Sequence, residues 1–265
     1  MSDSESVGKR GTSESGCIYE IFSGIQGEGL LVGERQIFIR FAGCNLSCAF
    51  CDTPHARTPV ETGRIEQTAG ARDFSQAPNP LRALDVAAHA ERLDSPRRTP
   101  PIHRRVALTG GEPLAQAEFA GRIARELKER GFSVLLETNG SLPDALPAVI
   151  PFVDVVSMDV KLPSAAGGPN LLSRHELFLR RAASAEVYVK IVVTSSTSTD
   201  ELLQAARMVG AINPAIPLVL QPVTPLSGVL SPSAAQVLEW QARFAVANLR
   251  DVRVIPQCHK IIGQS

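Results

Sequence analysis

Seven short apolar segments, separated by stretches with helical periodicity, limit the folds that this chain can adopt. Most contain β-branched residues and have no neighbouring segment with which to form a hairpin; they are residues 36–41, 106–109, 133–137, 153–158, 187–194, 218–221 and 252–255. Strands that alternate with helices imply a parallel sheet covered by helices and joined by right-handed crossovers. The sequence therefore predicts an α/β protein with parallel strands, either a partial or complete (β/α) barrel or a doubly wound sheet.

Two of the intervening segments have the pattern of amphipathic helices. Residues 117–130 carry an apolar stripe at helical spacing, formed by Phe119, Ile123 and Leu127. Residues 231–249 begin with Ser231 as a candidate N-cap, followed by a proline at the first helical position.

Charge and composition exclude several classes of protein. The formal net charge is zero, so no overall field draws the chain to nucleic acid or to an anionic membrane. No apolar run is long enough to span a bilayer, and a cytoplasmic protein is expected. Residues 1–16 read as a disordered tail, and 17–265 as a single domain with an inserted loop at about 55–80.

Three of the five cysteines lie within eight residues of one another, at Cys44, Cys48 and Cys51. Such a cluster indicates metal binding rather than a disulfide framework. Three thiolates on one loop can hold three irons of a cubane cluster and leave the fourth iron open. The alternative is a structural zinc site completed by His55. Cys17 and Cys258 stand alone and are read as buried or incidental thiols.

A second motif follows the 106–109 segment, where residues 109–113 read Thr-Gly-Gly-Glu-Pro. The two glycines allow a ligand to approach the backbone closely, and Glu112 offers an acceptor near a helix start. The cysteine spacing and this motif together resemble the radical S-adenosylmethionine (SAM) superfamily. That resemblance implies a partial (β/α) barrel of the radical SAM type, a 4Fe-4S cluster on the three cysteines, and SAM bound at the open iron.

Further polar motifs follow other predicted strands, and in a (β/α) barrel all of them would meet at the C-terminal face. They are residues 137–140, 157–161, 221–222 and 257–260. This set, with residues 22–29, 40–46 and 51–53, closely resembles the 7-carboxy-7-deazaguanine synthase family from about residue 18 to 262. The resemblance implies a carbon–nitrogen lyase of queuosine and 7-deazapurine biosynthesis. The family converts 6-carboxy-5,6,7,8-tetrahydropterin to 7-carboxy-7-deazaguanine and ammonia with Mg²⁺ assistance, beginning with hydrogen abstraction from C6.

The resemblance also implies a set of site residues. For SAM binding it implies Phe50, Cys51, Asp52, Gly111, Ser157, Met158, Asp159, Lys161 and Gln221; for the substrate it implies Ile25, Gln26, Gly27, Arg40, Thr109 and His259; and for Mg²⁺ it implies Thr53. Arg40 has the planar fork that suits a carboxylate. Thr53 could instead cap a turn, and His259 could be a surface residue. No side chain is identified as a general acid or base.

The resemblance further implies a homodimer and a one-electron reductant such as a flavodoxin-like protein. A small-molecule pterin is the expected partner, with neither nucleic acid nor membrane. Two alternatives remain open at this point. One is a different radical SAM reaction, such as glycyl-radical activation, and the other is a zinc-bearing binding module without catalysis.

Overall fold

A ten-stranded sheet organises the protein, which is described here from a computed structural model covering residues 14–95 and 101–264. The strands are β1 (Ser15–Gly16), β2 (Ile18–Ile25), β3 (Arg35–Phe41), β4 (Thr62–Glu66), β5 (Phe74–Pro78), β6 (Leu81–Arg82), β7 (Arg105–Gly110), β8 (Ser133–Thr138), β9 (Val155–Asp159), β10 (Glu186–Val193), β11 (Leu218–Pro222) and β12 (Val252–Val254). The helices are α1 (Ala83–Leu93), α2 (Ala117–Glu129), α3 (Pro163–Ala166), α4 (Leu172–Arg181), α5 (Thr199–Ile212), α6 (Ala234–Arg243) and α7 (Cys258–Ile261).

Seven strands form the parallel part of the sheet, and each corresponds to one of the seven predicted segments. Their order is β12-β11-β10-β9-β8-β7-β3, and every neighbouring pair is parallel. The order has two open ends, so the sheet is not closed into a barrel. The predicted α/β class with a partial barrel of parallel strands is therefore confirmed for this part of the chain.

The other end of the sheet departs from the prediction. Strand β2 lies antiparallel to β3 and parallel to β4, and β4 forms an antiparallel hairpin with β5. The prediction of a loop at 55–80 is wrong because this stretch contains both strands of that hairpin. Strand β5 is polar and mostly exposed, so it lacks the apolar alternation by which strands are recognised in a sequence.

The predicted tail falls mostly outside the described residues, since 1–13 are not described. Its last two residues form β1, which pairs antiparallel with β6. The second predicted amphipathic helix is also shorter than expected. Helix α6 is capped by Ser233 in a capping box with Gln236, not by Ser231.

The helices bury apolar faces against the sheet. The predicted stripe of α2 is confirmed, since Phe119, Ile123 and Leu127 are almost fully buried. Because β3, β7, β8, β9, β10 and β11 run parallel, their carboxyl ends lie along one edge of the sheet. The residues that follow these ends can therefore share one site.

Candidate active site

A cleft of about 470 Å³ opens at the carboxyl edge of the parallel strands. It is lined by all the predicted site residues except one: Ile25, Gln26, Gly27, Arg40, Cys44, Cys48, Phe50, Cys51, Asp52, Thr53, Thr109, Gly111, Ser157, Asp159, Lys161, Gln221 and His259. Segments separated by more than two hundred residues in sequence thus meet in one cavity.

Met158 is the exception. Its side chain is fully buried in the core, where it packs beneath Gly140. Successive side chains of a strand point to opposite faces, so Ser157 and Asp159 face the cleft while Met158 faces away. The sequence prediction names Met158 as a SAM-binding residue, but its side chain does not line the cleft.

The cysteine loop begins directly after β3 and is held by backbone hydrogen bonds. Gly43 N and Cys44 N donate to the carbonyls of Ala56 and Arg57, at 2.8 and 3.0 Å. The loop also contacts the second motif, because Glu112 N donates to Gly43 O at 2.8 Å. A Cβ atom on Gly111 would lie 2.1 Å from Gly43 O, so only glycine fits where these two backbones meet.

The three thiols are free and line the cleft, but they do not have the spacing of a single-ion site. Tetrahedral zinc with Zn–S bonds of about 2.3 Å needs sulfur atoms roughly 4 Å apart. Within residues 14–95 and 101–264, the one group of three or more His, Cys, Asp or Glu residues whose ligand atoms all lie within 4.8 Å of one another is Glu28, Asp52 and His259. The ring of His55 instead packs against Tyr19, at 5.1 Å between centroids. The donor set fits a wider iron-sulfur cluster better than zinc.

Burial shapes the chemistry of the thiols. It raises the pKa of Cys44 and of Cys48, although the ammonium of Lys161 partly offsets the effect at Cys48. Both are therefore protonated at neutral pH until a metal displaces the proton. The same Lys161 ammonium lies 5.0 Å from the centre of the Phe50 ring, so it sits directly beside the cysteine loop.

Glu112 ties the neighbouring loops to the cysteine end. Its buried carboxylate accepts hydrogen bonds from Leu114 N at 3.0 Å, and from Thr138 Oγ1 and Asn139 N at 2.8 Å. Burial raises the pKa of Glu112 against the effect of these donors. The side chain of Asn139 in turn donates to Asn45 inside the cysteine loop, at 2.9 Å.

The opposite end of the cleft is built from polar side chains of the β2 region. Gln26 Nε2 donates to Glu137 Oε1 at 2.8 Å, and Thr109 donates to the other oxygen of the same carboxylate. Arg40 Nε donates to Glu20 at 2.9 Å, and no further hydrogen-bond partner of its guanidinium lies among the described residues. Two of its nitrogen atoms therefore remain for a carboxylate in the cleft.

A network of ion pairs joins the two ends. Lys161 and Lys190 share one oxygen of Asp159, at 2.8 and 3.2 Å, and Lys190 also pairs with Glu28. Gln257 Nε2 donates to Glu28 Oε1 at 2.8 Å and lies 3.3 Å from Asp52 Oδ2.

Asp52 lies at the end of this network, next to the last cysteine. Lys260 approaches its carboxylate to 3.5 Å and His259 to 3.9 Å. Burial acts to raise the pKa of Asp52, but His259, Lys260 and Arg40 together hold it well below its usual range. Thr53 follows, and its hydroxyl does not cap the short helix that begins at Pro54. Asp52 and Thr53 thus offer adjacent oxygen ligands of the kind that Mg²⁺ prefers.

Two buried acceptors in the cleft have no hydrogen-bond partner within the described ranges. They are Asp159 Oδ1 and Gln221 Oε1, and both residues line the cavity. Buried polar atoms are normally paired, so orphaned acceptors at a cleft wall indicate a ligand that carries donors. The amino and ribose hydroxyl groups of SAM meet that requirement.

Several side chains that line the cleft were not among the predicted site residues, among them Glu28, Glu137, Lys190 and Gln257. Glu137 ends a predicted strand, and Gln257 lies two residues before His259. Their positions in the sequence could therefore have identified both as site residues. Lys190 was detectable as the only charged residue in an otherwise apolar run, 187–194. The pairing of Lys190 with Glu28 spans 162 residues and has no local signature.

Comparisons with known proteins agree with this site. Residues 38–192 match the radical SAM superfamily. The chain is 44% identical to a 7-carboxy-7-deazaguanine synthase of Geobacter sulfurreducens, over 92% of this chain and 96% of that protein. It is 39% identical to the same-named protein of Methanopyrus kandleri, over 97% of each.

The fold agrees as well. The crystal structure of QueE from Escherichia coli superposes with a TM-score of 0.58 at 22% identity, covering 93% of this chain and 94% of that one. No described helix is long and apolar enough to cross a membrane. From the sequence relatives, the matched domain and the arrangement of the cleft, the chain belongs to the 7-carboxy-7-deazaguanine synthase family of radical SAM enzymes.

Proposed function

We propose that this enzyme converts 6-carboxy-5,6,7,8-tetrahydropterin to 7-carboxy-7-deazaguanine and ammonia in queuosine and 7-deazapurine biosynthesis. The observation that carries the proposal is a single cleft lined by three free thiols and by Arg40, two of whose guanidinium nitrogen atoms have no partner among the described residues. The family uses a 4Fe-4S cluster, SAM and Mg²⁺, and the donor set of the cleft fits all three.

Cys44, Cys48 and Cys51 hold the cluster in this proposal. Phe50, Asp52, Gly111, Ser157, Asp159, Lys161 and Gln221 surround SAM. When bound, the cluster and SAM supply a carbon radical that removes hydrogen from the pterin. The protein positions the ligands, excludes water and balances charge.

The substrate occupies the end of the cleft near β2. The Glu137 carboxylate suits the adjacent N–H groups of an aminopyrimidine ring, because it offers two acceptor oxygens with fixed spacing. Gln26 and Thr109 hold that carboxylate in place, while Ile25, Gly27 and His259 form the surrounding wall. Arg40 binds the substrate carboxylate, and Thr53 with Asp52 supports Mg²⁺ beside it.

The alternatives from the sequence find less support. A zinc-bearing binding module does not fit the thiol spacing or the family. Glycyl-radical activation requires room for a protein loop, whereas this cleft of about 470 Å³ is lined in part by residues of α7. We further propose a homodimer in the cytoplasm, reduced by a flavodoxin-like donor; light scattering tests the dimer and a reduction assay tests the donor.

The proposal is tested by incubating anaerobically reconstituted enzyme with SAM, a reductant, Mg²⁺ and carboxytetrahydropterin. We expect 7-carboxy-7-deazaguanine to form, with each SAM molecule used for many turnovers. Cleavage of SAM without a deazaguanine product would preserve the radical SAM chemistry and reject the named reaction.

A further inference from the structure

Lys190 lies between the two halves of the cleft. It projects from the middle of β10, and its side chain is only 11% exposed. The ammonium contacts the carboxylate of Glu28 on one side and that of Asp159, at 3.2 Å, on the other. Asp159 belongs to the wall proposed for SAM, and Glu28 continues the loop proposed for the pterin. The inference below therefore rests on the proposed function.

Each partner of Lys190 is fastened to its own half of the cleft. Asp159 Oδ2 is shared with Lys161, which lies beside Phe50 and the cysteine loop. Glu28 N donates to Gln26 Oε1 at 3.0 Å, and Gln26 in turn holds Glu137. A change in how strongly Lys190 pairs with either carboxylate therefore affects both ligand-binding walls.

Ligand binding would change how Lys190 divides its ion pairing between Asp159 and Glu28. Asp159 Oδ1 is buried without a partner, so a donor on the ligand would bond there and compete with Lys190 for the negative charge. Lys190 would then pair more strongly with Glu28 and hold the Gln26–Glu28 loop in its binding conformation. A pre-organised loop binds its ligand more tightly because less ordering remains to be done.

We infer that Lys190 is a positioning residue that couples the two ligand sites, so that SAM binding strengthens pterin binding. Coupling of this kind is reciprocal, so the pterin must strengthen SAM binding by the same factor. The geometry points to Lys190 because, among the described residues, it is the cation that contacts carboxylates from both walls.

The test uses reconstituted holoenzyme with Mg²⁺ and no reductant, so that both ligands bind without turnover. The dissociation constant of 6-carboxypterin, a stable oxidised analogue, is measured by calorimetry with and without saturating SAM. We expect SAM to lower it about fivefold or more in the wild type. In Lys190→Met the ratio should fall to within about twofold of one, while each ligand still binds alone.

Glu28→Gln provides a second test of the coupling. It keeps Lys190 and Asp159 but removes the negative charge with which Lys190 forms an ion pair. We expect the same loss of coupling. Lys128→Met is the matched control: Lys128 is ion-paired with Asp154 on the surface at 2.6 Å, away from the cleft, and its loss should leave the ratio at the wild-type value. If Lys190→Met does not fold, Glu28→Gln alone decides the matter.

Two results would overturn the inference: an uncoupled wild type, or coupling that persists unchanged in either cleft variant. Failure of the wild type to bind either ligand would instead reject the proposed function. The two failures are therefore distinguishable.

Discussion

The two ends of the cleft are constructed differently. The cysteine end depends on backbone contacts, with Gly111 pressed against Gly43 and the loop carried by main-chain hydrogen bonds. The pterin end depends on side chains, where Gln26, Glu137 and Lys190 hold one another through hydrogen bonds and ion pairs. Substitutions at the cysteine end should therefore prevent the cluster from forming. Substitutions at the pterin end should instead change the affinity for the pterin.

The largest expected effect is at the cysteine end. Cys48→Ala removes one of three iron ligands and should abolish both the cluster and turnover, because the family chemistry needs all three. Iron content and product formation measure the result. Cys258→Ala is the matched control and should retain iron, since that thiol lies outside the cysteine loop. Full activity in Cys48→Ala would disprove the assignment of the ligands.

A pair of glycine substitutions sharpens the comparison between the ends. Gly111→Ala places a Cβ 2.1 Å from a backbone oxygen, and should cost about tenfold or more in iron incorporation. Gly27→Ala places its Cβ 2.2 Å from His259 Nδ1 and 2.5 Å from His259 Cβ, so α7 rather than the cysteine loop must shift. This variant should keep its iron and show a raised KM for the pterin.

Iron assays and steady-state kinetics on the two proteins decide the point. Equal iron content in both variants would contradict the claim that close backbone contact constrains the cysteine end more tightly than the pterin end.

Thr53→Val should have a smaller effect. It removes a hydroxyl of the kind that Mg²⁺ binds but keeps the shape of the side chain. We expect the cluster to form normally and the Mg²⁺ concentration for half-maximal activity to rise about tenfold. A magnesium titration that matched the wild type would remove Thr53 from the metal site.

The smallest effect is a dependence of stability on pH. His175 is buried behind the cysteine end, with Nε2 3.1 Å from Asn139 O, and burial lowers its pKa to about 4. Between pH 6.5 and 4 the unfolded chain binds this proton and the folded protein does not, so stability falls as the pH falls. The loss from pH 7 to 5.5 should be about 1 kcal/mol.

Denaturant unfolding at the two pH values checks this dependence. His175→Gln retains a donor for Asn139 but cannot titrate. Between pH 7 and 5.5 its free energy of unfolding should therefore fall by about 1 kcal/mol less than that of the wild type. An equal fall in both proteins would show that another group is responsible.

The sequence predicted the parallel strands and the cysteine end because both are local. Strand periodicity, the spacing of Cys44, Cys48 and Cys51, and the Gly-Gly turn at 110–111 each lie within a few residues. Resemblance to a family supplied the rest of the predicted site. Neither the local patterns nor the resemblance identified the ion pair between Glu28 and Lys190, which forms only when β10 lies beside the loop that follows β2.

The two departures from the sequence prediction, at the hairpin and at Met158, have different causes. The hairpin at 62–78 is polar and gains its strand structure from pairing with β2, so its sequence resembles a loop. Met158 was included with its neighbours although the alternation of a strand turns it into the core. Strand periodicity was the available signal, and it distinguishes Ser157 and Asp159 from Met158.

Mössbauer spectroscopy of the anaerobically reconstituted enzyme tests the central claim most directly. The account predicts about four irons per chain, with the signal of one iron changing when SAM is added because that iron has no cysteine ligand. A protein that binds zinc at these thiols, or a cluster whose irons all ignore SAM, would contradict it.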